Sequence, residues 1–437
     1  METRTVRTRE RVALVNFDWY KTLSPNGKRG FWASAAGWAL DAFDFQVLTF
    51  GLVAIAAAFH LTGSQRGFVG TVTLLVSALG GVLAGMLADR IGRVKTLMVT
   101  VGVYSLFTFL SGLAQNYEQL LLFRALQGLG FGGEWAAGAI LIAELSDPQQ
   151  RGRVLGWMQS FWAIGWALAL IAFVVVYQIV PPSTGWRVLF WLGILPALLI
   201  LYVRRYVREP EIYLDTRRAL QAHDPEAVRK HADRPTLVQI FMPDLLKTTV
   251  FGSLLAVGAQ GGYYMIFFWL PSYLATVRHL PVLGTGITLL PVIVGAYLGY
   301  LTSAYFNDGL GRRITFALFA VVSGIVVVLY TQLPQGAVAI LPVLGFILGF
   351  TASGIFSGFG SYLAEVYPSR ARGAGQGFCY NVGRAIGGGV GLFAVGAISV
   401  KTGLGAAITL AVVAYGICLL ALAFLPETRG KALVPVD

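Results

Sequence analysis

Five ionisable residues stand inside stretches otherwise built from apolar and small side chains: Asp41, Asp44, Arg124, Glu134 and Arg384. Burying such a group in hydrocarbon costs at least about 2.5–3.5 kcal/mol, so each normally faces a cavity or an opposite charge and marks the path of a polar solute. The residue types suggest which solute. Carboxyls in an apolar cavity can take up and release protons as their surroundings alternate, and a guanidinium can hold a carboxylate through two parallel hydrogen bonds. Together these groups are parts for moving an organic anion with protons. All four histidines, His60, His223, His231 and His279, fall in loops, which leaves any proton relay in the apolar segments to carboxylates.

The spacing of these residues is helical. Asp41 and Asp44 share a face at i, i+3; Gln376, Tyr380 and Arg384 stack at i, i+4, i+8, with Asn381 three before the arginine. Arg124, Gln127, Phe131 and Glu134 run down one side of another helix, and Gly128, Gly130, Gly132 and Gly133 beside them permit close helix packing or an open cavity.

The elements that must carry them are membrane spans. With 56% hydrophobic residues, 12% charged, 53 glycines and a mean hydropathy of +0.69 over 437 residues, the chain has too little polar surface to cover a soluble globule. Segments long enough for a hydrocarbon core of about 30 Å fall near 31–58, 67–88, 96–115, 118–143, 154–178 and 187–205. Six more follow near 248–275, 283–306, 314–332, 337–364, 374–398 and 404–425. Counted at the helical rise of about 1.5 Å per residue, Asp41, Asp44, Glu134 and Arg384 sit near mid-membrane, and Arg124 nearer the external end.

Two signatures recur about 220 residues apart. Asp89-Arg90-Ile91-Gly92-Arg93 returns as Asp308-Gly309-Leu310-Gly311-Arg312, and Glu144 with Arg151-Gly152 returns as Glu365 with Arg372-Gly373. Duplicated halves in an apolar chain indicate a transporter made of two related bundles. The sequence divides into an N-terminal tail (1–30), a six-helix bundle (31–205), a linker loop (206–245), a second bundle (246–426) and a C-terminal tail (427–437). The fold class is all-α, twelve transmembrane helices in two pseudo-symmetric six-helix bundles.

The net charge of +12 is an orientation signal. Of 33 lysines and arginines, 27 lie in the two tails and one alternate set of loops, and only Arg66, Arg187, Arg278 and Lys401 lie in the opposite set. By the positive-inside rule both termini and the 206–245 loop are cytoplasmic, in an integral protein of the inner membrane. Attraction to anionic lipid is a side effect, and no basic patch on a soluble fold argues for nucleic acid. The basic stretch Arg4 to Arg11 precedes no cleavage site, so the first helix stays in the membrane. Cys379 and Cys418 both sit in spans without a partner histidine, which excludes a disulfide framework and a catalytic thiol. The 206–245 loop reads as a tether with a short amphipathic helix at the inner surface.

The sequence from Gly85 through Asp89, Arg90, Gly92 and Arg93 to Lys95, the run Arg124-Ala-Leu-Gln127-Gly128-Leu-Gly130, and the ending Pro426-Glu427-Thr428-Arg429-Gly430 resemble motifs of the major facilitator superfamily across essentially the whole chain. The second loop departs from the pattern, with Ala304 where Gly85 stands and Gly309 in place of Arg90. More narrowly, Asp41-Ala-Phe-Asp44-Phe, Gly132-Gly133-Glu134-Trp135 and Asn381-Val-Gly-Arg384 are similar to the proton symporters for sialate, lactate, pyruvate and related organic acids. The resemblance implies proton-driven import of a small carboxylate by alternating access. It also implies that the two loops, through Asp89, Arg90, Arg93, Asp308, Arg312, Glu144, Arg151, Glu365 and Arg372, latch the cytoplasmic side while the outer side is open.

In this reading Asp44 or Glu134 carries the proton, with Asp41 as the near alternative; the competing reading has these acids merely neutralise Arg124. Arg384 clamps the substrate carboxylate, with Arg124, Asn381, Tyr380, Gln127 and Tyr264 around it. Latches that break once per cycle suit exposed charge pairs of about 0–1 kcal/mol each. The partners are a small organic anion, protons and lipid; the chain is taken as a monomer with no metal and no cofactor beyond the coupling proton. No metal-ligand cluster, nucleophile–base pair or phosphate-binding loop suggests an enzyme. A facilitator or exporter of the same fold, or a transport-dead nutrient sensor, are the rival functions.

Overall fold

A computed structural model of the chain describes residues 18–146, 151–222, 238–368 and 371–429, without the side chains of Asp89, Arg151, Asp308 and a few other positions. Twelve long helices follow one another. They are α1 (Pro25–Ala58), α2 (Gly63–Ile91), α3 (Arg93–Ser111), α4 (Tyr117–Leu145), α5 (Arg151–Ile179) and α6 (Pro182–Tyr206), then α7 (Pro243–Thr276), α8 (Val282–Leu310), α9 (Arg312–Gln332), α10 (Val338–Val366), α11 (Arg372–Thr402) and α12 (Leu404–Phe424). Among the described residues there is no strand. Eleven of the twelve are long and apolar enough to cross a membrane on composition. The other, α4, carries Arg124 and Glu134.

Local chemistry sets the helix starts. Pro25 occupies the first turn of α1 and the Ser24 hydroxyl accepts from the Gly27 N–H; Thr62 and Gln65 form a reciprocal capping box on α2; Asn116 caps α4 through the Gln119 N–H. The turns α2–α3 and α8–α9 each need a glycine, Gly92 at φ 109° and Gly311 at φ 104°, because a side chain is strained in that region.

Packing repeats from one half to the other. α2 lies against α4 and α8 against α10; α1 against α5 and α7 against α11; α3 against α4 and α9 against α10. Glycines bring backbones together at matching places, Gly128 of α4 on the Thr73 carbonyl and Gly349 of α10 on the Val292 carbonyl, where a Cβ would collide. The halves meet along α2–α11 and α5–α8, a pair of contacts that exchange under the repeat, and where α1 reaches the end of α7. From the helix ends remote from the termini inward, Gly63 abuts Gly396, Gly67 abuts Leu392, and the Thr71 hydroxyl donates to the Gly389 carbonyl at 2.6 Å. At the opposite ends Gly85, Gly156, Gly373 and Gly377 have no atom near where a Cβ would lie.

Two features differ from the sequence reading. α1 starts at Pro25, six residues before the apolar stretch, because Ser24 and Pro25 form a strong start signal. Residues Gly383–Val390 of α11 wind as a π-helix rather than an α-helix, in a segment with three consecutive glycines. The linker contains an amphipathic helix, Glu211–Gln221, as anticipated; residues 223–237 lie outside the described part.

Candidate functional site

The five intramembrane charges form two clusters. The first belongs to the N-terminal half alone. Asp44 of α1 lies fully buried, with Arg124 of α4 at 3.6 Å and hydrogen bonds from the Thr108 hydroxyl of α3 and the Gln127 amide of α4. Arg124 is also fully buried, lies over the Phe190 ring of α6 at 5.7 Å, and has no hydrogen-bond acceptor for any guanidinium nitrogen. Among the described residues Asp44 is the one carboxylate paired with it, so there the reading in which an acid neutralises Arg124 describes Asp44 only.

The second cluster lies between the halves. One turn before Asp44, Asp41 points instead toward Glu134 of α4, its strongest electrostatic neighbour, with Asp44 and Arg384 of α11 further contributors. None of the four oxygens of Asp41 and Glu134 receives a well-aligned hydrogen bond, although both side chains are buried. Gly37 makes room for the pair: a Cβ there would collide with the Glu134 carboxylate. Opposite them, Arg384 is 1% exposed, stands over the rings of Phe131 (5.2 Å) and Tyr380 (5.3 Å), and has Tyr264 as a further neighbour. Its Nε has no partner. A cation with an uncommitted nitrogen thus faces a carboxyl pair lacking donors, with aromatic walls around both.

The remaining candidates fall nearby, but with different tasks. Tyr264 and Tyr380 flank Arg384. Gln127 serves Asp44 rather than the interface. Asn381 turns its amide to the Gly377 carbonyl at 2.9 Å and packs against Gly81 of α2. Arg124, placed toward the external end by residue count, is a sealed part of the first cluster. Two inter-half aromatic contacts were not distinguished in the sequence from ordinary packing. Trp135 of α4 stacks on Tyr380 of α11 at 4.6 Å with 7° between planes, and Trp162 of α5 donates to the Tyr263 hydroxyl of α7 at 2.7 Å.

The loop signatures form two matching charge clusters at the helix ends nearer the termini. Arg93 forks onto Glu144 (2.8–3.2 Å) and donates to the Ala88 carbonyl at 2.9 Å, while Arg312 forks onto Glu365 (3.0–3.2 Å) and donates to the Asn307 carbonyl at 2.8 Å. Each pair joins elements of one half. The pairs are also largely buried, with side-chain exposures of 9% and 19% in the first and 11% and 10% in the second, so they are not the exposed pairs expected, and removing one partner from either costs more than the exposed-pair figure because it strands a buried charge. Arg90 is exposed and Arg372 donates to the Ala364 carbonyl at 2.8 Å. The side chains of Asp89, Asp308 and Arg151 lie outside the described residues.

Sequence reasoning missed a third member of each cluster. Glu209 accepts from the backbone N–H groups of Arg93 and Val94 at the start of α3, and Glu427 accepts from those of Arg312 and Arg313 at the start of α9. A carboxylate at a helix N-terminus is favourably placed. Burial alone would push the Glu427 carboxyl up, but four backbone N–H donors, from Arg312, Arg313, Arg429 and Thr428, hold it below the ordinary glutamate range. The signal was present: Glu209 and Glu427 are 218 residues apart, in step with the other repeats.

Comparison with known proteins agrees with this architecture. The chain is 41% identical over 418 residues to a probable 4-methylmuconolactone transporter of Cupriavidus pinatubonensis, covering 95% of this chain and 94% of that one. It is 30% identical to a cis,cis-muconate transport protein of Acinetobacter baylyi, over 79% of this chain and 81% of that one. The fold matches the xylose transporter XylE from E. coli in a partially occluded inward open conformation, with a TM-score of 0.72 at 19% identity, covering 94% of this chain and all of that one. The model of the Major Facilitator Superfamily matches residues 35–391. With twelve helices in two pseudo-symmetric bundles and relatives that are transporters, the chain is an integral membrane transporter rather than an enzyme, and it belongs to the Major Facilitator Superfamily.

Proposed function

We propose that the protein imports a small organic carboxylate with protons, by alternating access, across the cytoplasmic membrane. The observation that carries this reading is the Asp41–Glu134 carboxyl pair beside Arg384 at the junction of the halves. A facilitator would have no use for two adjacent acids without donors in the middle of a bilayer, where an uncompensated charge is costly.

Charge counting gives the coupling its sense. Asp44 and Arg124 cancel. Ionised together, Asp41 and Glu134 would outnumber Arg384 by one negative charge, so neutrality asks for one proton between them. A bound monocarboxylate adds another negative charge and asks for a second proton on the same pair. Each monoanion is thereby matched by one proton, and an empty site without that proton is free to return. Arg384 takes the carboxylate, Tyr264 and Tyr380 orient it, and Asp41 and Glu134 share the proton task. Asp44 and Arg124 act as a fixed structural pair.

The units that rock about this site are the two bundles, 31–205 and 246–426. The distribution of basic residues supports cytoplasmic termini, and on that orientation the contacts along the remote ends of α2–α11 describe a carrier closed on its outer side. The clusters around Arg93 and Arg312 brace each bundle where the cytoplasmic side opens and closes. The names of the relatives, transporters of 4-methylmuconolactone and cis,cis-muconate, support an organic-acid cargo. The test is uptake into proteoliposomes of a panel of labelled carboxylates with and without an inward proton gradient. Accumulation of at least one acid that collapses when the gradient is dissipated is the predicted result; transport that ignores the gradient for every acid refutes proton coupling.

A further inference from the structure

Resting on the orientation proposed above but not on the cargo, we infer that the first bundle holds an anionic phospholipid headgroup of the inner leaflet, in the crevice between the start of α1 and the end of α6. Four cations stand there: Lys28 and Arg29 in the first turns of α1, Arg205 in the last turn of α6 and Arg208 just beyond it. The two helix ends are tied together, since the Asn26 amide donates to the Arg208 carbonyl at 3.1 Å and accepts from the Arg208 N–H at 2.9 Å. Among the described residues none of the four cations is in an ion pair. The acid beside them, Glu209, is spent on the backbone at the start of α3.

The surroundings indicate which anion. Lys28 lies over the Tyr20 ring at 5.3 Å and Arg205 over the Tyr206 ring at 5.6 Å; Arg29 and Tyr20 are electrostatic neighbours of Tyr202, which packs on Tyr206 at 5.2 Å. Trp32 donates to the Tyr20 hydroxyl at 3.0 Å, and both Trp32 and Tyr206 are exposed. Rings of this kind sit at the level of lipid headgroups. One and two turns deeper on α6, Leu201 and Leu198 are exposed as well. Unpaired cations, then amphipathic rings, then bare leucines follow the profile of a phospholipid from phosphate to acyl chain, whereas a soluble anion has no use for the leucines.

The second bundle supplies an internal control. Aligned on Asp89 and Asp308, Lys28 and Arg29 correspond to Lys247 and Thr248; aligned on Glu209 and Glu427, Arg205 and Arg208 correspond to Ala423 and Pro426. All four counterparts line one crevice of about 310 Å³ between α7 and α12. The repeat therefore brings equivalent positions to one crevice in each half, yet only Lys247 keeps a charge. Both bundles start and end on the same side, so orientation asks for no more cations in one crevice than in the other. Three extra arginines in the first crevice are left for a ligand.

Native mass spectrometry of the purified full-length protein, stripped of lipid in detergent, tests this with phosphatidylglycerol and zwitterionic phosphatidylethanolamine as probes. Phosphatidylglycerol should bind about tenfold more tightly, since each cation near the headgroup is worth about fivefold. It should also raise the melting temperature more, because it binds the folded protein. Arg29→Gln/Arg205→Gln should abolish the preference, and Lys247→Gln should leave it unchanged. Equal binding of the two lipids by the parent overturns the inference whether or not the variants fold. So does equal weakening by Lys247→Gln and the arginine double variant, which would mean a diffuse field without a site, and so does displacement of phosphatidylglycerol by an equal concentration of inorganic phosphate, which would mean a soluble anion. Detergent solution has no sides, so orientation is read separately. Arg217→Cys, exposed on the linker helix, should react with a membrane-impermeant maleimide in cells only after permeabilisation; reaction in intact cells overturns the leaflet and spares the headgroup.

Discussion

Breaking the Asp44–Arg124 pair from either side should give unequal costs, and the inequality follows from who else serves each partner. At 3.6 Å and an effective dielectric near 20, the Coulomb term is about 4–5 kcal/mol, and removing one member of a buried pair commonly costs about 3–5 kcal/mol. Arg124→Gln leaves Asp44 with two donors, Thr108 and Gln127. Asp44→Asn leaves Arg124 with three nitrogens that have no acceptor and only the Phe190 ring beside them. Asp44→Asn should therefore destabilise by about the full 3–5 kcal/mol, and Arg124→Gln by about 2–3 kcal/mol, each unmade charged contact being worth about 1.5–3 kcal/mol. The double variant Asp44→Asn/Arg124→Gln leaves no unpaired charge and should recover most of the loss. Thermal unfolding of the four purified proteins in one detergent is the assay. Two further results would refute the reasoning: single variants as stable as the parent, or a double variant whose loss is the sum of the singles. The double variant should also keep proton-driven accumulation; its abolition would return the coupling role to Asp44.

Arg384→Lys keeps the charge but loses the planar fork, so calorimetry should show cargo binding weakened by about 1–3 kcal/mol; an unchanged dissociation constant would place the carboxylate elsewhere. Gly92→Ala and Gly311→Ala force a side chain into a strained φ at the loops that seat Glu209 and Glu427, and each should destabilise by about 1–3 kcal/mol, the first more because its Cβ meets Glu209 more closely. The depressed Glu427 carboxyl gives a pH signature. Its contribution is present above the ordinary glutamate value of about 4.3 and fades as pH falls through the lower folded value, so Glu427→Gln should melt below the parent at pH 7 and approach it in acid.

The spans and their duplication were legible because hydrophobic length and fixed offsets are one-dimensional signals. Helix boundaries agree within a few residues except where a cap, Ser24 with Pro25, extends α1 beyond its apolar stretch. The site was legible only as a set of members. Asp41 and Asp44 share a face by spacing, yet a face about 100° wide can look toward two neighbours at once, and only packing sends Asp44 to Arg124 and Asp41 to Glu134. Arg384 was identified from its charge in an apolar segment, and Tyr380, counted one turn before it, lies beside it because α11 is a regular α-helix up to Val382. Trp135 stood in one of the motifs, but stacking across halves leaves no mark in the sequence, so its pairing with Tyr380 was not legible. Glu209 was overlooked for a different reason: it lies at the mouth of a polar linker, where a lone acid looks ordinary until Glu427 supplies its twin.

The central claim is that the Asp41–Glu134 pair carries the coupling proton. The direct measurement compares two modes of transport in proteoliposomes for Glu134→Gln, Asp41→Asn and the double variant, using whichever carboxylate the parent accumulates. Accumulation driven by an imposed proton gradient requires the pair to gain and lose a proton in each cycle, whereas counterflow exchange of preloaded cargo involves no net proton movement. The double variant, with no titratable group left in the pair, should lose gradient-driven accumulation and keep measurable counterflow, while each single variant retains one acid able to take the proton that a bound monoanion asks for and should keep part of the accumulation. Full gradient-driven accumulation by the double variant would contradict the account.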